Sequence, residues 1–266
     1  MTGFRLILCG LVAVCILAAF PAYAQNPDSE KPLEISAQDT LEWHRDTQQY
    51  IARGAVIAQQ GSMTLRADVL TADYRETAEK NFDIYRLTAA GHVVISSPDM
   101  SAFGDKAVYD VDGGVAVVTG DALRMTSPDQ TVTARDSFEY WVNEGKLTAL
   151  GGAKVVRGTD TITADRMAAL FSKGPDGKDA LKRLEANDNV VITTPTEVLS
   201  GDRATYDAQT DTAELIGKVK IARGPNTLEG QRATVNLTTN VSMMHGGAPD
   251  GTGDTRVRGV FYPGTD

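Results

Sequence analysis

The 266 residues carry 26 basic and 35 acidic side chains, a net charge of −9. That balance excludes the basic stripe needed to bind nucleic acid and opposes adhesion to an anionic membrane surface. Both cysteines, Cys9 and Cys15, fall in the first 24 residues, so without that segment the chain must hold together by burial and backbone pairing alone.

Residues 1–24 read as a secretory signal peptide. Arg5 is the charged head, Leu6 to Phe20 form an apolar stretch too short for a comfortable membrane span, and Ala22-Tyr23-Ala24 is an A-x-A cleavage site. Cleavage there leaves Gln25 as the mature start and, by removing Arg5, takes the net charge from −9 to −10. The chain is expected to be exported.

From residue 25 onward a short motif returns seven times. An acidic or amide residue is followed two positions later by an apolar residue, and four positions later usually by an aromatic or β-branched one. The copies begin at Asp39, Asp68, Asp105, Asp136, Asp165, Asp202 and Gln231, spaced by 29, 37, 31, 29, 37 and 29 residues. Between them run segments introduced by a small residue: Gly54 to Ala58, Gly91 to Ile95, Gly120 to Leu123, Gly151 to Val155, Asp188 to Ile192 and Gly217 to Ile221. Apolar residues alternate in both types, the period of a β-strand. Turn-rich stretches such as Asp112-Gly113-Gly114 and Asn143-Glu144-Gly145 separate them. The expectation is two short strands and two turns per unit of about thirty residues. The one helix candidate, Ala72 to Lys80, lacks a clean apolar stripe.

A longer period overlies the short one. Shifting the chain by 97 residues lays Asp39 on Asp136, Asp68 on Asp165 and Asp105 on Asp202, and residues 83–110 then match residues 180–207 at 12 of 28 positions. The organisation expected is a β-domain over 25–245 made of tandem modules, about 33–129 and 130–226. A Gly-rich linker and a C-terminal strand follow over 246–266.

Alternation selects the residues that face inward. In the acidic motifs these are Leu41, Trp43, Leu70, Tyr109, Phe138, Tyr140, Met167 and Tyr206. In the Gly-led segments they are Val56, Val93, Ile95, Val155, Val190, Ile192, Val219 and Ile221. Rows of this kind either fill a dry core or, with alanines such as Ala58, Ala107, Ala122 and Ala204 leaving room, line a slot for alkyl chains at roughly 0.8 kcal/mol per buried methylene. The recurring Asp residues are spaced for capping turns, and the G-G-x-G-x-D rows of calcium repeats do not occur. His44, His92 and His245 have no companion at ligand spacing, so no metal site is expected. No phosphate loop, G-x-S-x-G elbow or cysteine nucleophile is found, and no catalytic residue is assigned.

The strand Leu33-Glu34-Ile35-Ser36-Ala37-Gln38-Asp39-Thr40-Leu41-Glu42-Trp43, followed by Ala52-Arg53-Gly54-Ala55-Val56 and Leu65-Arg66-Ala67-Asp68-Val69-Leu70, resembles the OstA-like family. These are periplasmic proteins of the lipopolysaccharide export bridge, and the likeness runs over roughly residues 33–240. It implies an all-β fold, an elongated, twisted antiparallel β-jelly roll whose slot holds the acyl chains of lipid A, with the inward set above as the lipid-binding residues. It also implies inner- and outer-membrane export proteins as partners, head-to-tail self-association and no cofactor. The soluble bridge component is the expected counterpart, since the inner-membrane member keeps an anchor and the outer-membrane member continues into a barrel. The edges expected to pair are marked by Ile35 and Leu41 at one end and by Val219 and Val235 at the other. The function expected is a non-enzymatic carrier that passes lipopolysaccharide along the slot. An exported β-solenoid that binds or cleaves an acidic polysaccharide is the alternative, and a purely structural envelope protein a third.

Overall fold

The computed structural model describes residues 31–76, 82–173, 179–236, 238, 239, 241–247 and 256–262. The expected signal peptide and most of the expected linker lie outside them. Among the described residues there is no helix, and every ladder whose register is defined is antiparallel. The all-β class expected from the repeats is what the structure shows. Residues 72–76 of the helix candidate belong to a strand, because Leu70, Ala72 and Tyr74 alternate inward there and the segment is paired on both sides.

The chain divides into two compact units. One comprises the described residues within Ala18–Gly151 and Leu170–Ala180, the other those within Gly152–Ala169 and Leu181–Asp266. We call them the N-terminal and C-terminal units. The first begins with β1 (Glu34–Ser36), β2 (Thr40–His44), β3 (Gln49–Gln60), β4 (Met63–Glu76), β5 (Phe82–Ser97) and β6 (Met100–Asp110). Next come β7 (Val115–Thr119), β8 (Arg124–Thr126), β9 (Gln130–Thr133) and β10 (Ser137–Trp141). Both β11 (Lys146–Arg157) and β12 (Asp160–Lys173) contribute residues to each unit. The C-terminal unit continues with β13 (Asp179–Thr193), whose first two residues belong to the N-terminal unit, and then β14 (Val198–Asp207), β15 (Thr212–Arg223), β16 (Asn226–Asn236), β17 (Val241–His245) and β18 (Arg258–Val260).

The strands are longer than the repeats suggest, because the Gly-led segments do not start strands. They sit in the middle of β3, β5, β11, β13 and β15 as a bend. Each bend is a pair of consecutive left-handed residues: Gly54-Ala55, Gly91-His92, Gly151-Gly152, Asp188-Asn189 and Gly217-Lys218, with φ between 42° and 86°. Where the ladders are defined, the register slips across the pair, between Arg53 and Val56, Ala90 and Val93, Asn187 and Val190, and Ile216 and Val219. These are β-bulges, which bend and twist a strand.

The recurring aspartates explain why the bends are tolerated. A Cβ placed on Gly54, Gly91, Gly151 or Gly217 would fall on the carboxylate of Asp39, Asp68, Asp136 or Asp202 respectively. At Asp188-Asn189, Asn189 Nδ2 instead donates to Asp165 Oδ2 at 2.9 Å, and asparagine is among the few residues at ease in this conformation. Only Gly120 to Leu123 departs from the pattern. It was expected to be a strand, but it is a turn between β7 and β8, held by the Asp121 N–H donating to Asp105 Oδ2 at 2.8 Å. Ala122, expected inward, is exposed there.

In the C-terminal unit β14, β15 and β16 pair in succession, and β16 then carries both β17 and β18. Val219 in β15 and Val235 in β16 therefore lie in strands flanked on both sides, and not at an edge. The outermost strands are β17 and β18, which pair with successive stretches of β16 as the two halves of a bent strand would. Of the expected C-terminal strand, Arg256 to Tyr262, the structure forms Arg258–Val260 as a strand.

The corner predicts a split between two glycine substitutions. Gly151→Ala places a Cβ on the Asp136 carboxylate in a left-handed conformation and should cost about 2–3 kcal/mol. Gly158→Ala, at a φ of 56° with open space around it, should cost about 1 kcal/mol. Urea unfolding measures both, and equal costs would refute the role given to the carboxylate.

Candidate functional site

Each bend sends the two halves of a long strand into different sheets. In the N-terminal unit one sheet contains β1, the second half of β3, the first half of β4, the second half of β5, the first half of β6, and then β8 and β9. The other contains β2, the complementary halves of β3 to β6, and then β7, β10 and the start of β11. This is a sandwich in which successive strands cross from sheet to sheet.

Residues directly opposite across a ladder share a face, so the inner faces can be read as rows. One row in the second sheet runs Leu41, Ala52, Leu70, Ala89, Ala107, Val118, Phe138, Ala149. The next runs Trp43, Tyr50, Ala72, Leu87, Tyr109, Ala116, Tyr140, Leu147. In the first sheet the matching row is Ile35, Ala58, Leu65, Ile95, Ala102, Met125, Val132. Small residues recur between large ones in all three. The gaps they leave join into a cavity of about 230 Å³ between the sheets. For scale, an apolar cavity of about 150 Å³ stays dry and binds benzene.

Leu70, Ile95, Tyr109, Phe138 and Tyr140 line this cavity. Burial, with the charge of Asp110 second, pushes the Tyr109 phenol above its ordinary range, so the hydroxyl stays neutral. Val56 and Val93 are buried just past the bends and pack there without reaching the cavity. Leu41 and Trp43 lie on inner rows but are 63% and 44% exposed, since β2 has β3 as its partner and the defined ladders place nothing beyond it. Trp43 instead caps an aromatic cluster. It stacks on Tyr50 at 5.6 Å, meets Phe82 edge-on at 5.6 Å, and donates its indole N–H to Tyr74 Oη at 2.7 Å.

The remaining candidates belong to the C-terminal unit. Val190, Ile192, Val219 and Ile221 join Leu199 and Leu215 in a buried cluster against which Met167 packs. Tyr206 packs on Ala213 and Val235, and Val155 is buried. Sequence reasoning overlooked Leu33, Met63, Met100 and Met125, all of which line the cavity. Alternation carried back from Leu65 and Ala102 to the hairpin turns would have reached Met63 and Met100.

Two stretches of the chain, residues 34–136 and residues 131–241, match the family described as LptA/(LptD N-terminal domain) LPS transport protein. Together they span well over half of the sequence. The chain belongs to this family. An uncharacterized protein of Rhizobium meliloti (strain 1021) is 26% identical over 127 residues, 46% of this chain and 68% of that protein. The crystal structure of LptH, the LptA homologous periplasmic component of the lipopolysaccharide transport device of Pseudomonas aeruginosa, aligns over 89% of this chain and 99% of its own at 14% identity and a TM-score of 0.23. At that score the superposition assigns no residue, and membership rests on the family match. The chain is accordingly a lipopolysaccharide transport protein of the OstA-like type, and its described residues form an all-β, antiparallel fold.

Within this family member, the C-terminal unit holds a carboxylate in an unusual setting. Glu197 is 4% exposed. Its Oε1 lies 3.8 Å from Arg223 Nη1, while Oε2 is buried without a hydrogen-bond partner among the described residues. Desolvation raises its pKa, and Arg223 offsets part of the rise. The folded chain therefore keeps the Glu197 proton at a pH where the unfolded chain has released it. This contribution to stability is present below the ordinary glutamate value of about 4.3 and is lost as pH rises through the elevated one. Glu197→Gln should gain stability relative to the parent as the pH is raised from 4 to 7. Urea midpoints at the two pH values test this, and a difference that does not change with pH would refute it.

Proposed function

We propose that this chain is a periplasmic carrier that holds the acyl chains of lipopolysaccharide between its sheets and passes the lipid between inner- and outer-membrane export proteins. Residues 1–24 are its export signal, and the carrier performs no chemistry on its cargo. The observation that carries this reading is the cavity of about 230 Å³ lined by Leu70, Ile95, Tyr109, Phe138 and Tyr140 in a chain of the lipopolysaccharide transport family. A space lined by side chains of this kind suits alkyl chains, each methylene contributing roughly 0.8 kcal/mol when buried. About ten methylenes give roughly 8 kcal/mol, within the range of the entropic cost of association, about 4–15 kcal/mol. Firm holding therefore calls for more than one chain, as a multiply acylated lipid supplies.

Transfer across the envelope needs neighbours, and the strand edges are where they dock. On this reading β1 and β2 of one copy pair with β17 and β18 of another. The backbone supplies affinity, and alternate side chains such as Ile35 and Leu41 set the register. Such a contact is heterologous and extends head to tail.

Two measurements test the proposal. A photoreactive residue at Phe138 or Tyr140 should capture lipopolysaccharide in living cells, whereas one at the neighbouring Glu139 should not; equal capture at all three removes the slot from the mechanism. Separately, Ile35→Pro deletes an edge donor and should lower the assembly size in sedimentation velocity without unfolding the protomer. A parent protein that remains monomeric at all concentrations, with and without lipopolysaccharide, would defeat the bridging step.

A further inference from the structure

The inner wall of the first sheet in the N-terminal unit changes character beyond the row of Ala58, Leu65, Ile95, Ala102, Met125 and Val132. One step further from the bends, the register sets Gln60 opposite Met63 and Ser97 opposite Met100. Ser127 and Gln130 follow one step past the Thr126–Thr131 pair, each backbone N–H donating to the other's carbonyl. Gln60, Met63 and Met100 line the cavity. Ser97, Ser127 and Gln130 continue the same face, since alternation places them with Ile95, Met125 and Val132. The end of an otherwise apolar wall is therefore a row in which polar side chains alternate with methionines.

Three of those polar groups are buried and unmatched. Ser97 Oγ, Ser127 Oγ and Gln130 Oε1 have no hydrogen-bond partner among the described residues, and Gln130 is only 7% exposed. A hydroxyl at such a turn ordinarily closes the turn itself. Thr194 does this in the C-terminal unit, accepting from the Glu197 N–H at 3.1 Å and donating to the Glu197 carbonyl at 3.3 Å. Ser97-Pro98 and Ser127-Pro128 share the sequence context of Thr194-Pro195, yet neither serine hydroxyl is used in this way. An unpaired buried polar group is destabilising, and three at one end of a cavity call for a ligand that completes them.

The chemistry of the row selects that ligand. Gln130 presents its amide oxygen, an acceptor, so the partner must donate, whereas a serine hydroxyl can donate or accept. Neighbouring strands lie about 4.8 Å apart. Ser127 and Gln130 are thus within reach of one group, and Ser97 lies two strands from Ser127 across Met100. A plain hydrocarbon or an ester cannot donate; a hydroxyl or an amide N–H can.

We propose that this row is a polar subsite for acyl chains that carry a hydrogen-bond donor, a hydroxyl or an amide N–H, near the head of the chain. Ser127 and Gln130 hold that donor, Ser97 holds a second, and the tail runs past Met63 and Met100 into the apolar cavity. The proposal rests on the carrier reading above and adds to it a selectivity for chain chemistry and a direction of entry.

The test uses the full chain and displacement of a fluorescent apolar probe by three uncharged ligands of equal chain length. These are the methyl ester of a saturated fatty acid, the methyl ester of its β-hydroxylated counterpart, and the N-methylamide of the saturated acid. Purified lipopolysaccharide is measured alongside. At least one donor-bearing ligand should bind about tenfold tighter than the plain ester, and the tighter of the two identifies the donor. Ser97→Ala, Ser127→Ala and Gln130→Met combined should bring that ratio below about twofold, while the plain ester still binds. Equal affinities in the parent, or a preference that survives the substitutions, overturn the subsite and leave the carrier reading standing. Failure of all three ligands also overturns the subsite, and failure of lipopolysaccharide with them overturns the carrier reading as well. Should the combined variant fail to fold, Ser127→Ala alone decides, with the ratio expected to fall about threefold or more. Urea unfolding without ligand gives an independent readout. Ser127→Ala should raise the midpoint, whereas Thr194→Val, which breaks the bonds within its turn, should lower it. A fall for Ser127→Ala would mean that its hydroxyl is already engaged and overturns the subsite.

Discussion

The contact between an aspartate carboxylate and a pair of left-handed residues on the neighbouring strand is the feature on which the rest of this protein depends. A strand of twelve to sixteen residues such as β3 or β5 would ordinarily run through one sheet. Here the bulge at Gly54-Ala55 or Gly91-His92 turns it, and the aspartate sits where a side chain on the glycine would otherwise be. The Gly–Asp pair is therefore a single device recorded twice in the sequence, once on each strand. Its repetition produces two facing sheets, and with them an interior. The acidic residues that look most like a catalytic or calcium-binding series are the structural corners of the fold.

Whether that interior is open or filled depends on a few carbons. In the N-terminal unit Ala52 and Ala89 flank Leu70, and Ala107 lies one strand beyond Ala89, so the large residues are separated and a continuous space remains. In the C-terminal unit Leu199 faces Ile221, and both are buried.

The edges show the same dependence on partners. Leu41 has the sequence context of an inward residue and lies on an inner row, yet it is exposed, since the ladders of the described residues place only β3 beside β2. In the C-terminal unit, β17 and β18 together occupy β16 in two separate stretches, as β2 and β1 together occupy β3 in the N-terminal unit. Each unit therefore presents short strands in tandem along one long partner. Short edge strands limit indiscriminate pairing while leaving backbone groups available to a matched surface.

The period-two alternation, the turn residues and the 29- to 37-residue spacing were enough to establish an all-β repeat fold and the face on which Leu70, Val93, Phe138 and Val190 lie. Those properties are local: they follow from which side of a pleated strand a side chain leaves. The resemblance carried by the repeated motifs was equally legible, since it depends on order and number. What the tertiary structure decided was everything that requires knowing what faces a residue from across the sheets. It separated Leu70 and Phe138, which line a cavity, from Val190 and Ile221, which fill a core. It moved the C-terminal edge from β16 to β17 and β18, and it brought Met63 and Met100, the first residues of β4 and β6, to the cavity. A strand's alternation records an inward face, but the volume left in front of that face is fixed by residues tens of positions away, and only the packed structure brings them together.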